Sequence, residues 1–390
     1  MARILISCGE PSGDLYAGAL VGELRRLDPG VQVTGVGGES LRESGADVVG
    51  DFRGLTVIGL VEALSVIPRS WRMYRRLVRE AAARPPDVFV AIDFPDFNCR
   101  VAAAMRRRGV PIVYYVGPQV WAWRSRRLRT LRALVDEMIV IFPFEEAIYR
   151  RAGIPVRFVG HPLVDLARAE HARPAFLSAL GLDAGAPTVA LLPGSRPNEI
   201  RAILPGLLRA ASLIAARLPN AQFVLARAPN LDESLFAPFA TAALRAAAVV
   251  ERRTNEVLAA SDVVLTASGT ATVQAAIHGC PMVIVYRLSS LTYRLGKPFV
   301  HVDMYGMVNL VAGRRVVPEL IQDAFTPEAV ACEALDLLTN PARAAQARAA
   351  LEDVRRQLGD PGASRRAAEA ILAVAARRGG SPQARVEEDR

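Results

Sequence analysis

The feature that most constrains how this chain can fold is an alternation, run through twice, of short apolar segments with longer stretches of helical periodicity. Strand-like runs fall at 3–8, 31–36, 87–92, 111–116 and 137–141, and again at 188–192, 222–226, 248–251, 262–266 and 282–286. Strands separated by helical segments pair in parallel, and both faces of such a sheet are covered. The predicted fold class is therefore α/β, with two Rossmann-like, doubly wound domains facing a central cleft. Residues 1–162 make the first domain and 163–340 the second. The link lies near Gly160-His-Pro-Leu-Val164 and leads into an Ala/Arg-rich helix over 165–180. No strand pattern interrupts the helices after Thr326, and those of 341–376 are predicted to pack back onto the N-terminal domain. Residues 377–390, with Gly-Gly-Ser-Pro and mixed charges, read as a flexible tail.

Composition then excludes several chemistries. The 390 residues are 51% hydrophobic and 22% charged, enough for two cores and ordinary for a globular chain. No run reaches the roughly 18 apolar residues of a membrane-spanning helix. Met1-Ala-Arg-Ile-Leu-Ile-Ser-Cys8 enters a strand pattern directly, without the regions of a secretory signal, so a cytoplasmic location is expected. Cys8, Cys99, Cys280 and Cys332 are scattered, and the four histidines lack His-Glu-x-x-His spacing. Neither a disulfide framework nor a metal centre is expected, and no cofactor motif is found. Lys297 is the only lysine and precedes Pro298, which rules out a Walker A loop. The net charge of +9 is thus carried by arginine, which suits phosphates, an anionic surface or nucleic acid alike.

Ligands of open α/β sheets bind at the carboxyl ends of strands, and the unusual loops of this chain fall there. Gly9-Glu-Pro-Ser-Gly-Asp14 follows the first strand and opens a helix from Leu15, so Glu10, Ser12 and Asp14 are candidate ligand contacts; an ordinary βα turn is the alternative. Asp93 ends the strand in Ala91-Ile-Asp93-Phe-Pro-Asp96-Phe-Asn98, where a carboxylate can serve as general base or simply form a turn. Asp96 is placed to N-cap the helix that follows. Gly117-Pro-Gln-Val-Trp-Ala-Trp-Arg124 offers Trp121 to stack on a sugar face and Arg124 to bind a phosphate, unless the indoles only close the bottom of the cleft.

The second half supplies phosphate-type turns. Leu191-Leu-Pro-Gly-Ser-Arg196, with Gly194 and Ser195, precedes a helix containing Glu199. Ser268, Gly269 and Thr270 open another, offering hydroxyls, amides and the positive end of a helix dipole. Over 60–78, apolar Leu60, Leu64, Ile67, Trp71, Tyr74 and Val78 alternate with Arg69, Arg72, Arg75, Arg76 and Arg79. The pattern fits either an interfacial membrane helix, with Leu64, Ile67, Trp71 and Tyr74 facing the lipid, or a core-facing helix with a solvated side. Pro68 is predicted to split it into two helices.

Taken together and in order, Gly9-Glu-Pro-Ser-Gly-Asp14, Asp87-Val-Phe-Val-Ala-Ile-Asp-Phe-Pro-Asp-Phe-Asn98, Gln119-Val-Trp-Ala-Trp-Arg124, Leu192-Pro-Gly-Ser-Arg196, Ala267-Ser-Gly-Thr-Ala-Thr272 and Asn309-Leu-Val-Ala-Gly-Arg314 resemble the family of lipid-A-disaccharide synthases. The resemblance spans residue 4 to about 320. It implies a GT-B fold, an acceptor-binding and membrane-facing first domain, and a second that binds a UDP-sugar. It implies inverting transfer of 2,3-diacylglucosamine from UDP to the 6-hydroxyl of 2,3-diacylglucosamine 1-phosphate on the inner-membrane surface, without a required metal. Asp93 is the base it implies. Gly194, Ser195, Arg196, Glu199, Ser268, Gly269, Thr270, Gln274, Asn309 and Arg314 are donor-side candidates; Glu10, Ser12, Asp14, Asp96, Trp121 and Arg124 are acceptor-side candidates. Gln274 stands where the family commonly has the glutamate that accepts ribose hydroxyls; an amide keeps an acceptor but loses the charge. A homodimer is compatible with the sequence.

Rival readings are a UDP-sugar epimerase or other transferase of the same fold, and a catalytically impaired membrane-associated homologue. An NAD-dependent oxidoreductase lacks its Gly-x-Gly-x-x-Gly, and a nucleic-acid-binding protein lacks an aromatic-interleaved basic motif.

Overall fold

The structure, a computed structural model, describes residues 1–52, 60–118, 126–229, 231–242, 244, 246–288 and 304–379. Residues 1–162 with 359–390 form one compact unit, and 163–358 form a second.

The first unit is built on a seven-stranded parallel sheet: β1 (Arg3–Cys8), β2 (Gln32–Gly37), β3 (Asp47–Asp51), β4 (Val88–Ile92), β5 (Ile112–Tyr115), β6 (Glu137–Val140) and β7 (Val156–Phe158), in the order β3-β2-β1-β4-β5-β6-β7. β1 lies between β2 and β4, pairing Cys8 with Ile92 at its carboxyl end. Every residue of β4 is buried, because helices cover both faces of the sheet; its run of apolar residues therefore shows no alternation. Leu5, Phe89, Ala91, Val101, Met105, Ile112, Tyr114 and Met138 form the centre of one core. The last helix, Ala363–Gly379, belongs here and packs against Pro11–Leu27. Ala363, Ala367, Ala368, Ala370 and Ala375 are buried, and such small side chains allow close helix approach.

The second unit carries a six-stranded parallel sheet: β8 (Thr188–Leu192), β9 (Gln222–Arg227), β10 (Ala247–Glu251), β11 (Val263–Ala267), β12 (Met282–Tyr286) and β13 (Glu319–Ile321), in the order β10-β9-β8-β11-β12-β13. Its core gathers Val189, Leu191, Ile203, Leu207, Phe223, Leu225, Val263 and Leu265.

Several expectations require correction. The helix Pro341–Gln357 does not return to the first unit; it packs on Thr270–Ile277, Met307–Ala312 and Pro327–Thr339 within the second. The predicted helix over 165–180 is two, Leu163–Leu166 and Arg173–Ala179, because Pro174 lacks the N–H a continuing helix would need and fits only a first turn. Pro68 does not divide its segment: one helix runs Leu60–Ala83 through it. The first helix begins at Pro11 and not at Leu15, so the small-residue turn is itself the helix's first turn. Strands β3, β7 and β13 had no counterpart in the sequence pattern; each is an edge strand of three to five residues.

Candidate active site

In the first unit the site is built at the carboxyl ends of β1, β4 and β5. Asp93 follows β4 directly and adopts φ 45°, Phe94 follows at φ 48°, and Val116, at the end of β5, has φ 61°. Left-handed backbone is unfavourable for side-chain-bearing residues, most of all for a β-branched one, at about 1–3 kcal/mol each. Among the described residues only Arg252 and Gln322 share this geometry without being glycine, so the strain concentrates at the carboxyl ends of the neighbouring strands β4 and β5. The turn is tied down on every side. Asp93 N–H donates to the Val116 carbonyl (3.2 Å), whose own N–H donates to Ile139 (3.0 Å). The Asp93 carbonyl accepts from Tyr114 Oη (2.7 Å) and from Asn98 Nδ2 (2.8 Å). Gly9 faces this turn: a Cβ there would lie 2.1 Å from Phe94 Cγ, so only glycine lets the two loops meet. The Asp93 side chain is partly exposed. Its charge, after burial, helps push the phenols of Tyr16, Tyr114 and Tyr149 up, which keeps them neutral.

The neighbouring candidates divide. Glu10 and Ser12 lie half-buried at the start of the first helix. Asp14 is drawn inward instead: its carboxylate accepts from the N–H groups of Gly38 (2.6 Å), Ser40 (2.9 Å) and Leu41 (3.3 Å). It thereby caps the helix Glu39–Glu43, whose own cap residue, Gly38, has no side chain to offer. Asp96 does not cap its helix. Phe94 holds the cap position of Pro95–Arg106, and Asp96, exposed in the first turn, pairs with Arg127. Trp121 and Arg124 lie outside the described residues. Tyr149 Oη donates to Pro118 O (3.0 Å), anchoring the chain just before them.

In the second unit the turns end β8, β11 and β12. Gly194 has φ 122°, and a Cβ there would lie 2.7 Å from Glu199 Oε2. Glu199 accepts from Ser195 N–H (3.2 Å) and from Arg196 Nη1 (2.9 Å), so it braces the turn and aims the guanidinium. Gly269 and Thr270, at the start of Thr270–Ile277, are exposed, with nothing within 4 Å of a Cβ placed on Gly269. Ser268 Oγ donates to Tyr305 O (3.2 Å). Gln274 Nε2 donates to Asn255 Oδ1 (3.1 Å), leaving the amide carbonyl as the atom turned to other partners. Asn309 is wholly buried and spent: Nδ2 donates to Val317 O and Glu319 Oε1, while Oδ1 accepts from Val316 and Val317. It folds 306–319 and offers nothing to a ligand. Arg314 is exposed after Gly313, the left-handed end of Met307–Ala312. Tyr286, at the end of β12, carried no motif in the sequence. Burial and the Glu199 charge push its phenol up, and the Arg196 guanidinium opposes them.

Away from the strand ends, Glu170, His171 and Glu256 are the described residues close enough to share a cation. Arg253 already occupies that cluster, 3.1 Å from His171 Nδ1 and 3.6 Å from Glu256. On Leu60–Ala83, Ile67 and Trp71 are exposed and Trp71 stacks on Tyr74 (5.2 Å, 18°); the side chain of Leu64 lies outside the described residues. No described helix is long and apolar enough to cross a membrane.

Solved structures of similar fold include enzymes bound to UDP-sugars. UDP-GlcNAc 2-epimerase from Neisseria meningitidis bound to UDP-GlcNAc aligns with TM-score 0.69 at 12% identity, covering 95% of this chain and all of that one. The UDP-GlcNAc 2-epimerase of Methanocaldococcus jannaschii in complex with UDP-GlcNAc and UDP gives 0.63 at 12%, covering 95% and 99%. The two parallel-sheet units are thus those of a GT-B protein, and identity this low speaks for the fold alone.

Sequence narrows the class. Residues 4–374 match the family model of lipid-A-disaccharide synthetase. The lipid-A-disaccharide synthases of Geobacter sulfurreducens and Anaeromyxobacter sp. (strain K) are each 44% identical, over 95% of this chain and 96% and 97% of theirs; that of Koribacter versatilis is 42% identical over 97% and 100%. The chain belongs to the lipid-A-disaccharide synthase family of UDP-sugar glycosyltransferases.

Proposed function

We propose that this chain transfers 2,3-diacylglucosamine from UDP to the 6-hydroxyl of 2,3-diacylglucosamine 1-phosphate, giving a β-1,6-linked disaccharide 1-phosphate and UDP. The observation that carries the reading is Asp93, a carboxylate presented by a strained, fully braced turn at a strand end. Asp93 takes the acceptor's proton as the hydroxyl oxygen attacks the anomeric carbon, and the bond to the UDP oxygen breaks in line, with inversion. Arg196, held by Glu199, and the exposed amides of Gly269 and Thr270 stabilise the charge that develops on the departing diphosphate. Glu10 and Ser12 contribute to the acceptor side, Ser195, Ser268, Gln274 and Arg314 to the donor side.

Both substrates carry acyl chains, which gives a purpose to Ile67, Trp71 and Tyr74 on an arginine-rich helix: the enzyme rests on the inner-membrane surface and takes lipid from it. A second copy of the chain is a compatible partner, read out by light scattering. The test of the reaction is UDP release from the two purified substrates. It should require the acceptor and fall about a hundredfold or more in Asp93→Ala. UDP release without acceptor, or interconversion of UDP-sugar epimers, would favour the epimerase reading; a fully active variant would remove Asp93 as base.

A further inference from the structure

We propose that Tyr114 and Asn98 are positioning residues for the transfer step, acting through the main-chain carbonyl of Asp93; the proposal rests on Asp93 being the base. Two donors meet on that one oxygen, Tyr114 Oη at 2.7 Å and Asn98 Nδ2 at 2.8 Å. The same Nδ2 faces the carbonyls of Ser7 (3.1 Å) and Ile92 (3.2 Å). Reversing the amide would set its oxygen against three carbonyls, so the nitrogen's place is decided by its surroundings. Asn98 is fully buried, and its Oδ1 has no hydrogen-bond partner among the described residues. Its site is therefore organised around the donor alone. Tyr114 is likewise fully buried, and burial above all raises its phenol, with the Asp93 carboxylate adding to it, so it donates at every working pH.

These bonds hold a peptide that would otherwise relax. Asp93 and Phe94 are consecutive left-handed residues, and the Asp93 N–H is pinned to the left-handed Val116. With the carbonyl released, the Asp93–Phe94 peptide can rotate toward ordinary backbone geometry, and rotation at Asp93 swings its carboxylate away from the acceptor oxygen. A displacement of about 1 Å costs roughly a hundredfold in rate. Neither Tyr114 nor Asn98 touches substrate, so substrate affinity stays while turnover falls.

A double-mutant cycle reads this out. Tyr114→Phe removes one hydroxyl from a buried ring, and Asn98→Asp keeps the shape while exchanging the donor for an acceptor. In the otherwise unaltered enzyme, Tyr114→Phe should lower kcat about tenfold and leave KM within about twofold; adding Asn98→Asp should bring the loss to about a hundredfold. In the Asp93→Asn background, which retains the main-chain carbonyl but no base, Tyr114→Phe should change kcat by less than about twofold. Thermal melts and circular dichroism establish that each variant folds. The proposal is overturned if Tyr114→Phe keeps full kcat, or if its tenfold loss recurs undiminished in the Asp93→Asn background, as a general structural defect would give. A fully active Asp93→Asn enzyme overturns the base assignment and this proposal together, whereas a strongly slowed but measurable one with an additive cycle overturns only the positioning role.

Discussion

Replacing Gly9 by alanine adds a single carbon to the molecule, and the structure indicates where it would go. The new Cβ would lie 2.1 Å from Phe94 Cγ, 2.4 Å from Cδ1 and 2.6 Å from Cβ. Carbon atoms rest at about 3.5–4.0 Å, so one loop must retreat by roughly 1.5 Å. The ring of Phe94 has little freedom to do so, being stacked on buried Phe97 (5.2 Å, 24°). Its backbone is left-handed and joined directly to Asp93. The displacement therefore passes to Asp93, the proposed base. Overpacking of this kind costs about 1–3 kcal/mol, and a shift of about 1 Å at Asp93 costs about a hundredfold in kcat. Acceptor-dependent UDP release and a thermal melt measure the two effects on one sample. Gly9→Ala should melt several degrees lower and turn over about a hundredfold slower, and Gly9→Ala/Phe94→Ala should regain most of the lost melting temperature. A Gly9→Ala enzyme with unaltered melting and kcat would refute the reasoning, as would a double variant no more stable than the single one.

Asn309→Ala removes four hydrogen bonds from a buried site and takes the Asn309 partner from the N–H groups of Val316 and Val317 and from the Val317 carbonyl, while Glu319 keeps the N–H groups of Tyr305 and Gly306, so it should cost about 2–4 kcal/mol; weaker UDP binding with an unchanged melt would instead make Asn309 a ligand residue. His161 is buried between Tyr16 and Phe142, and burial lowers it from about 6.5 to about 3. Below the ordinary value the unfolded chain binds a proton the folded one refuses, so stability falls as pH drops through that window, by about 2 kcal/mol at pH 5. Denaturant titrations of His161→Gln should show a flatter slope between pH 7 and pH 5, and an equal slope would contradict the assignment. Ile67→Glu with Trp71→Glu should reduce sedimentation with anionic vesicles at least tenfold while leaving the melt unchanged; equal binding would mean that another surface meets the lipid.

Legible in the sequence alone were the main strands of both sheets and the loops at their carboxyl ends where candidate residues gather. The strands at 3–8, 188–192 and 282–286 were legible to the residue because doubly covered parallel strands are unbroken apolar runs. In such sheets the loops at their carboxyl ends are where a ligand can sit, which singled out Asp93, Arg196 and Ser268 before any fold was known. Edge strands β3, β7 and β13 escaped because a short strand with one neighbour needs little apolar character. Only the tertiary structure separated candidate side chains left partly exposed from those turned into the protein. Asp14 and Asn309 sit in motifs as suggestive as that of Asp93, yet Asp14 is consumed by backbone groups 24–27 residues away, and Asn309 by backbone groups 7 and 8 residues away and the Glu319 carboxylate 10 away. The strain at Asp93, Phe94 and Val116 was equally invisible, since none is a glycine announcing a left-handed turn. Hydrogen-bond satisfaction and backbone dihedrals depend on which distant groups arrive together, and that is decided when the sheet assembles and not along the chain.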